Sequence, residues 1–298
     1  MTENFKDTRE LIRRWTPRIV RNWLRQPKRS ISYLLDRVAY LWYGASEVQV
    51  RPDWRPCCHP ASRNHFRVFA TDPAQAVELN TFIAYCRPGM QFLDVGAHYG
   101  LFALAAIRFG GQTAKVVAVE ASAKVSKILR ANLEANNVTE RVHVVDAAMG
   151  ERDGTLEMLS TGPAGSDYFV SAPAGRTDTT PVCQLSMLTV LQRTKMQPTH
   201  VKIDIEGFES EAIFGAMDCL RQYRPILFLE LHLDYLRLRG HDPTRILRQL
   251  RECGYTEFEE RGARLSEDDL VRRNLECRVI CQSGGHDQTT MNPSARCA

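Results

Sequence analysis

The chain has 298 residues, 44% hydrophobic and 25% charged, which is ordinary for one large α/β domain or two small domains. The net charge is +4, but residues 1–30 hold nine basic and three acidic side chains and therefore carry +6. The remaining residues carry −2, which excludes a broad nucleic-acid-binding surface on that part of the chain. No run of about 18 apolar residues predicts a membrane span, and nine scattered cysteines without paired CxxC motifs indicate reduced thiols in a cytoplasmic protein.

Two helical patterns open the chain, within residues 11–23 and 31–42, where apolar side chains recur at steps of three and four. They predict either helices packed on the domain or on a second subunit, or a basic amphipathic helix within residues 1–30 on an anionic membrane, which would make the protein peripheral to it. The proline-rich stretch RPDWRPCCHP (51–60) reads as a linker. Residues 1–65 are therefore predicted to form a helical extension with a linker.

From Arg67 the pattern changes to alternating strands and helices. A short strand is predicted at 67–70, and Asp72 followed by Pro73 predicts a capped helix start. Seven further strands are predicted near 91–95, 115–120, 142–147, 201–205, 226–231, 256–259 and 277–281, and helices at 101–109, 123–136, 209–220 and 244–253. This alternation indicates an α/β domain over 66–283, with a mainly parallel sheet covered by helices on both faces and an extra hairpin strand at GTLEMLS. Residues 284–298 are predicted to be a disordered tail.

The stretch QFLDVGAHYG (91–100) places two glycines, Gly96 and Gly100, directly after the first of these strands. Ligands of such sheets bind beyond the carboxyl ends of the strands, where the strand order reverses. The spacing lacks the middle glycine of GxGxxG, which argues against NAD or FAD. Asp94, just before the turn, is placed to hold an amino group directly or through water.

Two more acids end the next two strands. Glu120 is predicted to accept hydrogen bonds from both ribose hydroxyls of a nucleoside. Asp146 is placed to take an adenine amino group, with the backbone at Ala147 against the ring, although a turn-capping role for Asp146 is the open alternative. Ribose, adenine and a cationic amino-acid end together describe S-adenosylmethionine.

The fourth and fifth strands end in further titratable residues. Alternation along KIDIEG puts Lys202, Asp204 and Glu206 on one side, and two carboxylates so close would either raise one pKa or hold a divalent cation. His232 is the predicted general base, with Asp204 and Glu206 as the other catalytic candidates. The alternative is that Asp204 and Glu206 cap the helix near Glu209 and that His232 is a satisfied polar residue.

Five motifs in order resemble the FkbM-type methyltransferase family. They are FLDVGAHYG, with His98 where the family usually has asparagine, VVAVEAS, with Ala121 for the usual proline, AAMGERDGTLEM, VKIDIEGFESEAIFGA and RPILFLELH. The similarity covers roughly residues 66–282. Ser186 stands where members often carry an aspartate, so that acid's role does not carry over.

The resemblance implies a Rossmann-like, seven-stranded methyltransferase fold, S-adenosylmethionine as donor, and a hydroxyl acceptor on a sugar or natural product. It assigns Ala97, His98 and Ala121 to the cofactor site beside the residues named above. The expected partner is a small-molecule or carbohydrate acceptor and not a nucleic acid, and the loop at 160–181 is long enough to cover the site. The alternatives are a nucleotide-dependent oxidoreductase, or a catalytically silent methyltransferase fold used for binding.

Overall fold

The computed structural model describes residues 38, 40–41, 44–159, 179–274 and 276–284. Most of the two N-terminal helical patterns, residues 160–178 of the predicted covering loop and the tail from 285 lie outside the described residues. The predicted contact of residues 1–30 with an anionic membrane therefore stays a prediction. Within the described part of the chain, no helix is long and apolar enough to cross a bilayer.

A single large sheet organises the domain. Its strands are β3 (Gln91–Val95), β4 (Lys115–Glu120), β5 (Val142–Asp146), β9 (His200–Ile203), β10 (Ile226–Leu231), β11 (Glu257–Glu260), β12 (Ala263–Arg264) and β13 (Cys277–Gln282). All seven strands predicted for it are present, and the two-residue β12 is an eighth. Across the sheet they lie in the order β12-β11-β13-β10-β9-β3-β4-β5.

The sheet is parallel from β5 through β4, β3 and β9 to β10, and antiparallel from β10 through β13 and β11 to β12. From β3 the chain first builds outward through β4 and β5, and then returns to add β9 on the other side of β3. The carboxyl ends of β3 and β9 therefore flank the point where the strand order reverses, which is where ligands of such sheets bind.

Ten helices are bounded within the described residues: α1 (Arg63–Thr71), α2 (Pro73–Tyr85), α3 (Leu101–Phe109), α4 (Ala123–Ala135), α5 (Met187–Thr194), α6 (Glu209–Phe214), α7 (Met217–Tyr223), α8 (Leu233–Leu238), α9 (Pro243–Glu252) and α10 (Glu267–Arg272). Two 3-10 turns lie at Pro60–Ser62 and Thr139–Arg141. Side chains alternate along β3, so that Phe92 belongs to one buried cluster and Leu93 to the other. Helices thus cover both faces of the sheet, as the sequence predicts.

Two smaller sheets complete the described chain. β6 (Ala148–Met149), β7 (Gly154–Leu159) and β8 (Thr179–Leu185) form one, and the antiparallel pairing of β7 with β8 confirms the predicted extra hairpin strand. β1 (Ser46–Glu47) pairs with β2 (Cys57–Cys58). Asn136, the residue after α4, binds both backbone groups of Cys57, and Asn132 of α4 accepts from the backbone N–H of His59 at 2.7 Å. These bonds fasten the segment before α1 to the domain.

Two predicted elements are wrong in detail. Residues 67–70 are helical, because Phe66 and Phe69 lie three residues apart on one buried face of α1. The helix predicted over 209–220 is divided into α6 and α7 around Gly215, where a side chain would meet the backbone of Glu151 at 2.5 Å. The capped start at Asp72 is confirmed, since its carboxylate accepts from the backbone N–H groups of residues 74 and 75.

Candidate active site

A cavity of about 660 Å³ opens at the carboxyl ends of β3, β4, β9 and β10, a size typical of small-molecule sites. Nine of the twelve residues predicted for the site line it: Gly96, Ala97, His98, Glu120, Ala121, Ala147, Asp204, Glu206 and His232. Asp94, Gly100 and Asp146 are not among the lining residues. The structure therefore brings six of the nine predicted cofactor residues and all three catalytic candidates to one cavity.

The Glu120 carboxylate anchors the turn after β3. Its Oε2 accepts from the backbone N–H of His98 at 2.9 Å and its Oε1 from that of Ser122 at 2.8 Å. Because a carboxylate oxygen can accept more than one hydrogen bond, these contacts orient Glu120 without preventing it from binding a hydroxyl pair. The predicted ribose-binding acid is thus held in a fixed position at the cavity wall.

Both glycines of the turn make room for protein atoms. Gly96 has φ +82°, and a Cβ there would lie 1.9 Å from the backbone oxygen of Asp204. Gly100, also left-handed, would place a Cβ 2.3 Å from Leu129 of α4. The GxxxG spacing is therefore explained by close packing of the turn on β9 and of α3 on α4.

Asp94 lies beneath this turn and is 1% exposed. Burial raises its pKa to about 7, while the backbone N–H of Ala103 and the charge of Lys202 oppose the rise. Its Oδ2 has no hydrogen-bond partner among the described residues. An unpartnered buried acceptor at this place fits the predicted contact with an amino group, directly or through water.

Asp146 is held away from the cavity by α4. It accepts hydrogen bonds from the hydroxyl of Ser126 and from Nη2 of Arg130, the latter at 2.7 Å. Both carboxylate oxygens thus accept hydrogen bonds from α4, and the contact of Asp146 with an adenine amino group stays a prediction. Ala147, the next residue, does line the cavity.

The most buried charge in the cavity wall is Lys202, on β9. Its Nζ lies 2.7 Å from Asp204 Oδ2 and 3.7 Å from Glu78 Oε1, and 4.6 Å from the ring centroid of Phe102. Burial would raise the pKa of Asp204, but Lys202 lowers it to about 2, and the pKa of Lys202 is raised in turn by its acidic neighbours. Asp204 is therefore a carboxylate already paired with a cation.

A second ion-pair network joins β10, β13 and α2. Arg278 of β13 lies 2.7 Å from Glu230, 3.0 Å from Glu78 and 3.4 Å from Glu276. Burial and the nearby charge of Asp204 raise the pKa of Glu230 to about 8. The cavity wall thus holds more carboxylates than the cations that neutralise them.

His232, at the end of β10, lies between two carboxylates. Its Nδ1 is 2.9 Å from Oε1 of Glu209 and its Nε2 is 3.4 Å from Oε2 of Glu206. Burial disfavours the imidazolium, but the hydrogen bond and charge of Glu209, with Asp204 and Glu206 nearby, raise the pKa of His232 to about 9. The ring is therefore protonated at neutral pH, whereas the sequence suggested titration near neutrality.

The helix-cap alternative for the two catalytic acids is wrong. The residue before α6 is Phe208, and no side chain caps that helix. Glu206 instead has φ +54°, an uncommon backbone conformation for a residue with a side chain, which places it at the cavity. Ser186 caps α5 through Thr189 and is not part of the cavity lining.

One described group of three residues has the spacing of a metal site. Ligand atoms of Asp204, Glu230 and His232 lie within 4.8 Å of one another. Lys202 pairs with Asp204, Arg278 with Glu230, and His232 carries a proton at neutral pH. Protein cations thus already supply the charge that a divalent ion would bring, and no metal is assigned to this group.

His98 forms the wall between the turn and α1. Its Nδ1 lies 3.4 Å from Nε2 of His65, and its ring packs on Tyr99 with the centroids 3.9 Å apart. Burial lowers the pKa of His98 to about 3 and that of His65 to about 4, so both rings are neutral. His98 contributes its backbone N–H to Glu120 and its ring to the cavity wall.

Several lining or supporting residues were not predicted for the site: His65, Glu78, Glu209, Asp234, Tyr235, Glu276 and Arg278. One carries a sequence signal, because Arg278 interrupts the apolar strand CRVICQ. The burial of Glu209 is visible only in the structure. Glu78 comes from α2, outside the motifs that mark the strand ends.

The model described as the methyltransferase FkbM domain matches residues 94–257, more than half of the chain. The crystal structure of methyltransferase FkbM from Methylobacillus flagellatus KT is similar at 18% identity and a TM-score of 0.44, over 74% of this chain and 53% of that one, so this chain spans about half of its length. The O-methyltransferase from Bacillus cereus in complex with SAH is similar at 13% identity and a TM-score of 0.42, over 85% and 99% of the two chains. No curated protein matches the chain.

Proposed function

The chain belongs to the FkbM methyltransferase family, and on this premise we propose that it transfers a methyl group from S-adenosylmethionine to a hydroxyl oxygen of a sugar or natural product. The observation that carries the proposal is the cavity in which Glu120 and the turn after β3 lie on one side and His232 on the other. The predicted nucleoside-binding residues and the proposed proton acceptor thus line one cavity, as methyl transfer to a hydroxyl requires.

The residues present fit the cofactor. Glu120 would hold the ribose hydroxyls, and the backbone around Ala121 and Ala147 would contact the adenine. Asp94 lies beneath the turn and does not line the cavity, so its unpartnered Oδ2 would reach the amino group through water. When bound, S-adenosylmethionine supplies an electrophilic methyl group on a positively charged sulfur. The chain's part is to orient both reactants in line and to exclude bulk water.

His232 is the proposed general base. Its Nε2 faces the cavity, and an acceptor hydroxyl that replaces Glu206 there would donate its hydrogen to this nitrogen. Only neutral His232 can accept that proton, so its raised pKa makes it a strong base whose neutral fraction is small at pH 7. The positively charged sulfur of S-adenosylmethionine bound in the same cavity would lower the pKa of His232 and increase the fraction of His232 that is neutral.

The charge of the cavity restricts the acceptor. Beyond the nucleoside side, the described residues that line the cavity include the carboxylates of Glu78, Asp204, Glu206, Asp234 and Glu276, against the cations Lys202, Arg278 and protonated His232. Glu230 also lines the cavity, but its raised pKa of about 8 leaves it largely neutral at pH 7. An excess of negative charge repels phosphorylated compounds and nucleic acids. We therefore propose a neutral or cationic small-molecule or carbohydrate acceptor.

The test is transfer of a labelled methyl group from S-adenosylmethionine to three matched acceptor sets: neutral sugars, amino sugars and sugar phosphates. We expect labelled ether products from the first two sets and none from the third. Labelling confined to sugar phosphates would refute the proposal that the acceptor is neutral or cationic. Labelling of amine nitrogens alone would refute transfer to oxygen.

Replacing Glu120 by glutamine should weaken S-adenosylmethionine binding by about 1–3 kcal/mol, because buried hydroxyls would lose a charged acceptor. Titration calorimetry measures this, with Glu134→Gln on the exposed side of α4 as the control. The same experiment on the unchanged protein, with NAD as second ligand, separates the alternatives. Binding of NAD alone would favour an oxidoreductase, and binding of neither ligand a silent scaffold.

Chelation should leave activity unchanged. Lys202 already neutralises Asp204, and Arg278 already pairs with Glu230, so a divalent ion would have to displace both. The measurement is the methylation rate after dialysis against EDTA, compared with the rate after adding Mg²⁺ or Mn²⁺ back. A rate lost on chelation and restored by either ion would show that the cation predicted as one alternative from the sequence is required.

A further inference from the structure

Glu209 is a fully buried acid that lies against the proposed base, His232. It lies in the first turn of α6, is 0% exposed, and its Oε1 accepts from the backbone N–H of Gly207 at 2.9 Å. The same oxygen lies 2.9 Å from Nδ1 of His232, while its Oε2 has no hydrogen-bond partner among the described residues. A carboxylate so buried is costly unless it is paired, and His232 is the cation within reach.

The two nitrogens of His232 have different surroundings. Nδ1 is turned to Glu209 inside the protein, whereas Nε2 lies at the cavity, 3.4 Å from Glu206. The ring of Tyr235 stacks on the imidazole, with an angle of 25° between the rings and centroids 6.1 Å apart. The ring is thus fixed with one nitrogen inward and one nitrogen toward the substrate.

Resting on the proposed function, we propose that Glu209 is the positioning residue of the base: it keeps a hydrogen on Nδ1 of His232, so that Nε2 is the nitrogen that takes the acceptor's proton. The hydroxyl proton passes to Nε2 as an oxygen electron pair forms the bond to the methyl carbon, and the electron pair of the broken carbon–sulfur bond returns to sulfur. The imidazolium so formed is balanced by the buried carboxylate.

Four acidic side chains lie near His232, and Glu209 differs from the other three. Asp204 is paired with Lys202 and Glu230 with Arg278, and Glu206 is partly exposed and lies at the nitrogen that the acceptor must reach. Tyr235 contributes a ring face. Removing the charge of Glu209 should therefore change both the affinity of His232 for a proton and the nitrogen that keeps it.

The first measurement needs no acceptor and no variant. Nitrogen NMR of the full-length protein with labelled histidine should show His232 losing its proton near pH 9 and retaining the hydrogen on Nδ1 above that pH. Retention on Nε2 instead would overturn the proposal. This spectrum reports on His232 alone, so it tests the proposal whether or not S-adenosylmethionine binds. Failure of the proposed function would appear separately, as the absence of S-adenosylmethionine binding in calorimetry.

The second measurement uses Glu209→Gln, with Glu211→Gln of the same helix as control, since Glu211 pairs with Arg239 and His241. In Glu209→Gln the pKa of His232 should fall by about 1–3 units, because the ring loses its buried counter-charge. The turnover number should fall by about 10²–10⁴-fold, since a glutamine amide can donate to Nδ1 and hold the hydrogen on Nε2. The affinity for S-adenosylmethionine should not change. Unchanged titration or unchanged turnover in a folded Glu209→Gln protein would overturn the proposal.

Discussion

Replacing His232 by alanine should reduce the turnover number by about 10²–10⁴-fold while S-adenosylmethionine binds as before, because the proton acceptor is lost and the nucleoside contacts are not. Glu120, which holds the turn after β3, lies on the other side of the cavity from His232. The measurements are single-turnover methyl transfer and calorimetry on the same preparation. The loss should be smaller for an acceptor hydroxyl that is already ionised at the assay pH.

The proposed role of His232 also predicts the direction in which the methylation rate changes with pH. Only neutral His232 accepts a proton, and Glu209 raises its pKa to about 9, so kcat/KM should increase with pH and level off above about pH 9. The limb for kcat should lie at lower pH, because the positive sulfur of the bound donor disfavours the imidazolium. A rate independent of pH between 6 and 9 would refute this.

A matched control is His241→Ala. His241 is also a histidine bound to a glutamate of α6, with Nε2 3.1 Å from Glu211, but it is not a lining residue of the cavity. It should retain full turnover and the same pH profile. Equal losses in both variants would mean that His232 acts through the stability of α6 and not through the reaction.

The sheet and the nucleoside side of the cavity are readable from the sequence because their determinants are local. Apolar runs such as KVVAVE form buried strands, and the residue that ends a parallel strand, such as Glu120, lies at the ligand edge. Asp146 shows where this rule stops: it also ends a strand, but Ser126 and Arg130 bind its carboxylate. The position of a residue in its strand determines where its backbone lies, and contacts with the neighbouring helix determine the direction of its side chain.

The contacts on the acidic side of the cavity could not be predicted without the folded structure. Glu209 and His232 are 23 residues apart and meet only because the turn between α7 and β10 returns the chain to the same edge of the sheet. Glu78 and Arg278 are 200 residues apart and both enter the network around Lys202 from elements outside the five motifs. The raised pKa of His232 follows from these contacts. Its position at the end of a strand predicts only an ordinary imidazole, which titrates near neutrality.

Gly96→Ala should be the most damaging small substitution in the domain, destabilising it by more than about 4 kcal/mol. A Cβ at this position would lie 1.9 Å from the backbone oxygen and 2.9 Å from the carbonyl carbon of Asp204. Backbone atoms of a central strand end cannot yield as the tip of a side chain can, so the turn would have to move away from β9. Denaturant unfolding followed by circular dichroism measures the loss.

The control for Gly96→Ala is Gly111→Ala, which separates crowding from backbone strain. Gly111 has φ +76°, close to the +82° of Gly96, but nothing lies within 4 Å of a Cβ placed there. Its substitution should cost only the left-handed conformation of an alanine, about 1–2 kcal/mol. If both variants lose the same stability, the close approach of the turn to Asp204 does not explain the glycine. If Gly96→Ala alone unfolds the domain or loses S-adenosylmethionine binding, the first glycine of the motif is there to let β9 and its paired carboxylate reach the cofactor turn.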